Sequence, residues 1–514
     1  MKQKVKDIFK GPVVFYPPLF AAFPVLFLYT YNMNETLMSE VWLPLGVSVA
    51  GALVLWAVLS LILRSLAKAG LATAIFLALF FSYGRFYDGV SYLGVFVPKH
   101  AHLLPIMLFI WGYCVYFIGR AKRDFRITTK FFNITAVVLI AINLFNIGVY
   151  QVYLARLGDI APEETPEHTA GSPADLSTLP DIYYIIFDEY SHPDTMKEWY
   201  DYDSSEFINS LEDKGLFVAR QSKTRTPHTV QSIAQTLNME YLTAGWYYNE
   251  EANNWKELTG PEGMYPGYPA WSEPAYQKLA DNKVAEFLRA EGYEYIYFGN
   301  WASSNIWGKY MKENVDLYFN YYETSSTPWM SAFHNILWNT TMLKPFYLHF
   351  MGIQCAMSYR YCTMSTLEHL KEMPSQEGPK FVYAHFMCPH EVFVFGSDGE
   401  AIAPINWSNY EDKQFYRGQY IFINAEIEKL VDALLEKSKN PPIIILQSDH
   451  GLRPVHRGID IGRDEWQKIL NAYYLPGDGK ELLYDSISPV NSFRVIFNYY
   501  FGADYPLLED NQEQ

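Results

Sequence analysis

Cysteine is scarce in this chain: Cys114, Cys355, Cys362 and Cys388 are the only four in 514 residues. No two form a Cys-x-x-Cys pair, which removes a zinc knuckle from consideration. Cys114 lies in an apolar segment and reads as packing. Cys355 and Cys362 are close enough in sequence for a small disulfide loop in an oxidising compartment. Basic charge is also short, with 40 Lys and Arg against 56 Asp and Glu and a net charge of −16. Such a surface repels a phosphate backbone, so nucleic acid is not the main partner. It does not exclude an anionic substrate, because a metal and a few local Arg or His side chains can reverse the field inside a pocket. No internal repeat at solenoid periods is present, and 514 residues are too many for one ordinary core.

The shortage of basic residues is not uniform. Residues 1–150 hold 13 Lys and Arg against 5 Asp and Glu, a net of +8, which leaves −24 on the remainder. A basic apolar portion followed by an acidic polar one suggests a membrane anchor joined to a soluble domain. Crossing a bilayer takes about 20 apolar residues. Segments at about 12–31, 42–63, 102–119 and 131–153 meet this, and a shorter fifth at about 69–84 runs into Arg85 and Asp88. Basic residues cluster at Lys2, Lys4, Lys6 and Lys10, at Arg64 and Lys68, and at Arg120 to Lys130, whereas the first intervening loop has Glu35 and Glu40. These clusters share one side only if there are five crossings. The N-terminus is then cytoplasmic and the later domain external. The first segment is long and lacks a small-residue cleavage site, so it is not expected to be a removable signal.

The expected organisation is a transmembrane domain over 1–155, a linker over 156–180 and an extracytoplasmic domain over 181–514. The run DIAPEETPEHTAGSPADLSTLP (159–180) has no apolar period, as a linker should. After it, apolar runs of strand length appear at 182–187, 215–220, 293–299, 380–387, 442–448 and 471–476. Helical stretches separate them, the clearest at 410–438 with Ile423, Ile427, Leu430 and Leu434 on one face. The pattern predicts an α/β domain with a mostly parallel sheet covered by helices on both faces. Ligands in such sheets bind at the carboxyl ends of the strands.

Four places at or near those ends carry chemistry. The first strand ends in Asp188-Glu189, either a solvated turn or a pair of acids that needs a cation. PPIIILQSDHG ends in Asp449-His450-Gly451, an oxygen and nitrogen pair suited to Mn or Zn, and its glycine lets backbone approach a ligand. Thr229 stands where a helix should begin, either as a cap or as a hydroxyl beside free N–H groups that favour an oxyanion. Its neighbours Thr226 and Ser232 are alternatives. His385 and His390 follow in YAHFMCPHEVF. His390, past the strand, suits substrate contact or leaving-group protonation. His385, inside the strand, is expected to be buried and satisfied. Arg453, just beyond Gly451, is a second candidate for substrate binding.

The order strand–Asp188, Thr229 at a helix start, and strand–Ser448-Asp449-His450-Gly451 resembles the alkaline phosphatase–sulfatase superfamily. With the apolar helices it looks like the membrane-anchored branch that contains lipoteichoic acid synthase and the phosphoethanolamine transferases. The resemblance covers the whole chain in architecture and about 181–500 in motifs. It implies that Asp188 (or Glu189), Thr229, Asp449 and His450 hold one divalent ion, Mn or Zn, and that Thr229 is the nucleophile. It also implies that His390 contacts substrate. The transferases typically have Glu-Ser where this chain has Asp188-Glu189, which leaves either acid open as the ligand. No Cys/Ser-x-Pro-x-Arg run occurs near Thr229, which argues against a formylglycine sulfatase. Two-metal phosphodiesterases need a further Asp and two more His. His385, His390 and His456 supply imidazoles, but the Asp is not obvious, so one metal is expected.

The implied function is a phosphoryl-type transferase of the cell envelope, moving phosphoglycerol or phosphoethanolamine from a membrane lipid donor to an acceptor alcohol through phospho-threonine. The alternatives are an ester hydrolase of the same fold, or a non-catalytic membrane protein that kept the fold for binding. A periplasm-dependent reporter fused to the C-terminus is expected to be active. A fusion active only with a cytoplasmic reporter overturns the orientation.

Overall fold

The computed structural model describes residues 13–33, 36–92, 99–158, 179–241, 246–249, 254–257, 272–300, 306–321, 332–402, 412–453 and 464–510. The chain divides into two compact units. One comprises Met1–Thr165 together with Thr327–Ile353, the other Pro166–Ser326 with Gln354–Gln514. Most of the expected linker, and His456, lie outside the described residues.

The first unit is built from helices Tyr16–Tyr31, Met38–Leu63, Leu66–Tyr92, His100–Arg120 and Arg126–Gly158. Four of the five are long and apolar enough to cross a membrane, which fits a membrane anchor. The exception is not the segment that looked weakest in the sequence. The stretch at 69–84 lies within a 27-residue helix that continues past Arg85 and Asp88. The short element is the first, described as 16 residues beginning at Tyr16 rather than at 12. Aliphatic content alone does not mark where a helix starts, and here a side chain does. Asn133 Oδ1 accepts from the backbone N–H groups of Phe15 and Tyr16, and its Nδ2 donates to Val13 O at 2.8 Å. In apolar surroundings those first N–H groups have no water to turn to, so one amide side chain takes them.

Thr327–Ile353 was expected within the later domain but clusters with this first unit. Its helix Ala332–Thr340 lies against Leu66–Tyr92 at Gly84, where an added Cβ would stand 1.8 Å from Asn339 O. Just beyond, Met342 N donates to Phe80 O at 3.0 Å, and Lys344 pairs with Asp88. The absent side chain at Gly84 thus sets how close the two backbones come.

The second unit holds a seven-stranded sheet. Its strands are β1 (Ile182–Phe187), β2 (Phe217–Val218), β5 (Glu294–Phe298), β6 (Leu317–Phe319), β7 (Lys380–Phe386), β8 (Ile443–Ser448) and β9 (Asn471–Tyr474), and a separate hairpin pairs β3 (Trp246–Asn249) with β4 (Asn254–Glu257). The order is β2-β9-β8-β1-β7-β5-β6. β1 pairs in parallel with β7 and β8, and β5 with β6 and β7; β9 alone runs antiparallel to its neighbours β8 and β2. The six runs read from sequence all contain strands, though 215–220 contributes only two residues. The edge strand β6 and the hairpin were not anticipated.

Every residue of β1 is buried, because alternate side chains enter two different cores. Tyr183, Ile185 and Phe187 pack with Ile423, Ile427, Leu430 and Leu434 of helix Lys413–Lys437, while Ile182, Tyr184 and Ile186 pack with Ile233 and Leu237 of helix Thr229–Asn238 and with Phe493 and Phe497. Full burial of each such Ile or Leu contributes roughly 1.5–3 kcal/mol, which fixes the strand between its two layers.

One expected disulfide is absent. Cys362 is a buried thiol whose Sγ donates to Gly299 O at 3.9 Å. Cys355 and Cys362 share the helix Lys344–Glu372, where seven residues span about 10 Å of rise, well beyond the Cα separation a disulfide tolerates.

Gly84→Val should weaken the contact with helix Ala332–Thr340 and lower the thermal midpoint of the full chain in detergent, since overpacking costs about 1–3 kcal/mol. Gly112→Val, where nothing lies within 4 Å, is the control. Equal midpoints for the two variants would show that the Gly84 contact is not tight.

Candidate metal centre

The register of three parallel strands assembles the site. Phe187 of β1 is paired with Ser448 of β8 and with Phe386 of β7, so one further residue on β1 and β8 brings Asp188 and Asp449 side by side. Asp188 N donates to Phe386 O at 2.8 Å and holds the strand exit to β7. Asp188, Asp449 and His450 are all buried, and one ligand atom from each lies within 4.8 Å of the others. His450 Nε2 stands 3.4 Å from Asp449 Oδ2 and 4.0 Å from Asp188 Oδ1. On its other side, His450 Nδ1 faces Gly451 O at 2.8 Å. A carbonyl only accepts, so Nδ1 carries a proton and Nε2 is the nitrogen that faces the carboxylates, the one a metal would take.

Asp188 Oδ1 and Asp449 Oδ2 are buried without a hydrogen-bond partner. Orphaned carboxylate oxygens are expensive in a protein interior, and a divalent cation is what such a donor set accommodates. Burial pulls the Asp188 carboxyl up, but the imidazoles of His390, His385 and His450 outweigh it and hold the group at about 2. Asp449 is raised, first by burial and then by the adjacent Asp188. The two carboxylates therefore compete to ionise, and a shared cation removes the competition.

Thr229 opens the helix Thr229–Asn238, and the residue before it, His228, makes no side-chain cap. The Thr229 hydroxyl is not a cap either: it donates to Asp188 Oδ2 at 3.5 Å and lies 3.4 Å from His450 Nε2. The two neighbouring hydroxyls are committed elsewhere. Ser232 Oγ donates to Asp449 O at 2.6 Å, so it positions the Asp449 backbone rather than bonding back within its helix. Thr226 Oγ1 donates to Gln231 Oε1 at 2.9 Å and accepts from His228 N.

Glu189 turns away from this group. Its Oε1 accepts from Arg453 N at 3.2 Å and lies 3.6 Å from Arg453 Nε, while Oε2 lies 3.5 Å from His390 Nε2. His390 Nδ1 meets Glu391 O at 2.7 Å. Glu189, His390 and Arg453 thus form a second cluster, and the choice left open between the two acids favours Asp188 as the ligand. Arg453 Nη1 also donates to Pro227 O at 3.3 Å, which ties the cluster to the approach of Thr229.

Two expectations change here. His385 is buried but not satisfied: neither ring nitrogen is hydrogen-bonded, Nε2 lies 3.3 Å from Asp188 Oδ2, and the ring sits 5.0 Å from that of Trp307. Its place in β7 opposite Ile186, two residues before Asp188, was the signal that could have found it. Trp307 carried no such signal. Gly451 admits a close backbone approach, but from the protein itself. A Cβ there would meet Glu465 O at 2.4 Å and Lys468 O at 2.5 Å.

Residues 180–486, more than half of the chain, match the family described as Sulfatase. The chain belongs to the sulfatase family. It is accordingly an enzyme of sulfatase-like, transferase or hydrolase type, which sets aside a non-catalytic binding role. No curated protein matches it in sequence. Among solved structures it is similar to the C-terminal periplasmic domain of EcEptC from Escherichia coli, at 13% identity and a TM-score of 0.38 over 67% of this chain and 90% of that one. It is also similar to the soluble domain of lipooligosaccharide phosphoethanolamine transferase A from Neisseria meningitidis, at 10% identity and 0.37 over 64% and 89%. A third is BT1596, a 2-O GAG sulfatase, at 12% identity and 0.37 over 64% and 71%. At these scores the likenesses add nothing to the family assignment.

Asp188→Asn, Asp449→Asn and His450→Ala should each lower bound Mn or Zn in the folded protein, by at least the roughly 10–100-fold in affinity that even an outer partner of a metal ligand is worth. Glu189→Gln should keep the metal. Metal analysis of the purified variants checks this, and unchanged stoichiometry in the first three removes the site.

Proposed function

We propose that this sulfatase-family enzyme is a phosphoryl-type transferase that takes a head group from a membrane lipid and passes it through Thr229 to an acceptor alcohol of the cell envelope. The observation that carries the reading is the Thr229 hydroxyl, set at a helix N-terminus between Asp188 and His450 and serving as no cap. One divalent ion held by Asp188, Asp449, His450 and the Thr229 oxygen would supply a Lewis acid that lowers the pKa of the hydroxyl. Manganese or zinc suits these donors.

Thr229 Oγ1 gives up its proton to solvent, attacks the phosphorus of the donor and forms a P–O bond. The bond from phosphorus to the lipid oxygen breaks, and that oxygen leaves with a proton from His390 Nε2. The acceptor hydroxyl then gives its proton back to His390, attacks the same phosphorus and displaces Thr229, which regains its proton. The first-turn N–H groups of the Thr229–Asn238 helix and the Arg453 guanidinium offset the charge that builds on the phosphoryl oxygens. Glu189 positions both Arg453 and His390. Phosphoglycerol or phosphoethanolamine is the group this reading expects, and water as acceptor would make the same centre a hydrolase.

Sulfate-ester cleavage of the formylglycine type is disfavoured, because the nucleophile position holds Thr229 and lacks the Cys/Ser-x-Pro-x-Arg run. The apolar helices support an enzyme in the cell membrane, and the basic clusters support a cytoplasmic N-terminus with the 181–514 domain outside, which requires helix Tyr16–Tyr31 to cross as well. Donor and enzyme then share a plane.

Thr229→Ala should abolish turnover, roughly 10⁴-fold or more, with metal still bound. Mass spectrometry of the wild-type chain after incubation with total membrane lipid should find a phosphoryl adduct on Thr229. Near-full activity in Thr229→Ala, with loss in Ser232→Ala, moves the nucleophile one helical turn.

A further inference from the structure

The first unit contains an apolar cavity of about 510 Å³ that the metal centre does not use. Phe20, Phe23 and Phe27 of helix Tyr16–Tyr31 form one wall, and Ala74, Ala78 and Phe81 of helix Leu66–Tyr92 form another. Leu337 and Thr340 from the returning helix Ala332–Thr340 close one side. The volume falls within the roughly 300–1,000 Å³ of sites that take a single small ligand. One charged group lines it, Arg85, one helical turn beyond Phe81. Arg85 has no hydrogen-bond or ion-pair partner among the described residues, whereas Asp88 on the same helix is paired with Lys344. Arg85 is exposed five residues before the end of the apolar span Leu66–Val90, so its guanidinium reaches the level of the lipid head groups.

We propose that this cavity holds one acyl chain of a membrane phospholipid, with Arg85 on its phosphate. The charge complementarity decides the occupant. A purely apolar guest would leave Arg85 unpaired, and a free phosphate would leave the aromatic walls unfilled. A phospholipid satisfies both, with the planar guanidinium meeting two phosphate oxygens at once. The small side chains of Ala74 and Ala78 leave the space that the chain enters. This extends the lipid-donor reading above, but neither the cavity nor Arg85 depends on the metal.

The test is native mass spectrometry of the full chain in detergent, titrated separately with dioleoyl phosphatidylglycerol and with dioleoylglycerol, which lacks the phosphate. Wild type should favour the phospholipid by about tenfold or more, as expected for a charge-assisted contact. Arg85→Gln should lose that preference. Ala78→Phe, or Ala74→Phe if the first does not fold, should weaken both lipids. Thr229→Ala should bind like wild type even though it does not turn over, which separates failure of the cavity from failure of the catalytic reading. Wild-type binding in both filled variants would place the lipid elsewhere on the helices and overturn the proposal. Equal binding of the two lipids to wild type would overturn the role of Arg85. Loss of binding in Thr229→Ala would show that lipid is retained by the metal centre instead.

Discussion

Two carboxylates leave adjacent parallel strands and end up almost without solvent. Asp188 and Asp449 are held there by ladder register, with the backbone of Glu189 donating to Asp449 Oδ1 at 3.0 Å and that of His450 to the same oxygen at 2.8 Å. These N–H groups satisfy one oxygen of Asp449. Asp188 Oδ1 and Asp449 Oδ2 remain without partners. The arrangement is stable only with a cation or a proton between them, and the imidazole of His450, oriented by Gly451 O, directs it toward the cation. The positions of Thr229, His385 and Ser232 make sense only around this point.

Around that centre the protein separates roles that the sequence places next to each other. Asp188 and Glu189 are neighbours in the chain, yet Glu189 adopts a positive φ of 53° and sends its carboxylate toward His390 and Arg453. Tyr416 OH donates to Glu189 O at 2.7 Å and fixes that turn. A non-glycine residue in this region carries strain, and such strain is commonly met where a site requires two adjacent side chains to diverge. The result is one carboxylate beside Asp449 and His450 and one against an imidazole and a guanidinium.

The helical unit follows a different logic. Apolar side chains such as Phe109 and Phe145 are more than two-thirds exposed, at 74% and 70%, which in water would be a large unfavourable surface and in lipid is ordinary. Polar groups there are few and placed with purpose: Asn133 takes the first N–H groups of Tyr16–Tyr31, and Lys344 meets Asp88. Gly84 lets a segment from far along the chain pack directly on a helix.

Local pattern determined a good deal by itself. Continuous apolar runs gave the strands, because a strand buried on both faces must be apolar throughout, and long apolar segments gave the helices of the anchor. Asp449-His450-Gly451 was legible because an acid and an imidazole at the end of such a strand have few uses other than chemistry. Tertiary structure decided what depends on register and on distant contacts. It separated Asp188 from Glu189, whose positive φ turns its carboxylate toward His390 and Arg453. It set the Thr229 hydroxyl beside Asp188 and His450 and turned those of Ser232 and Thr226 to Asp449 O and Gln231 Oε1. It brought His385 to Asp188 from a strand some two hundred positions away. It returned Thr327–Ile353 to the helical unit, and it ruled out the Cys355–Cys362 bond because both lie along one continuous helix. In each case the sequence specifies which groups are present, while the distances between them are set by pairings that no local pattern encodes.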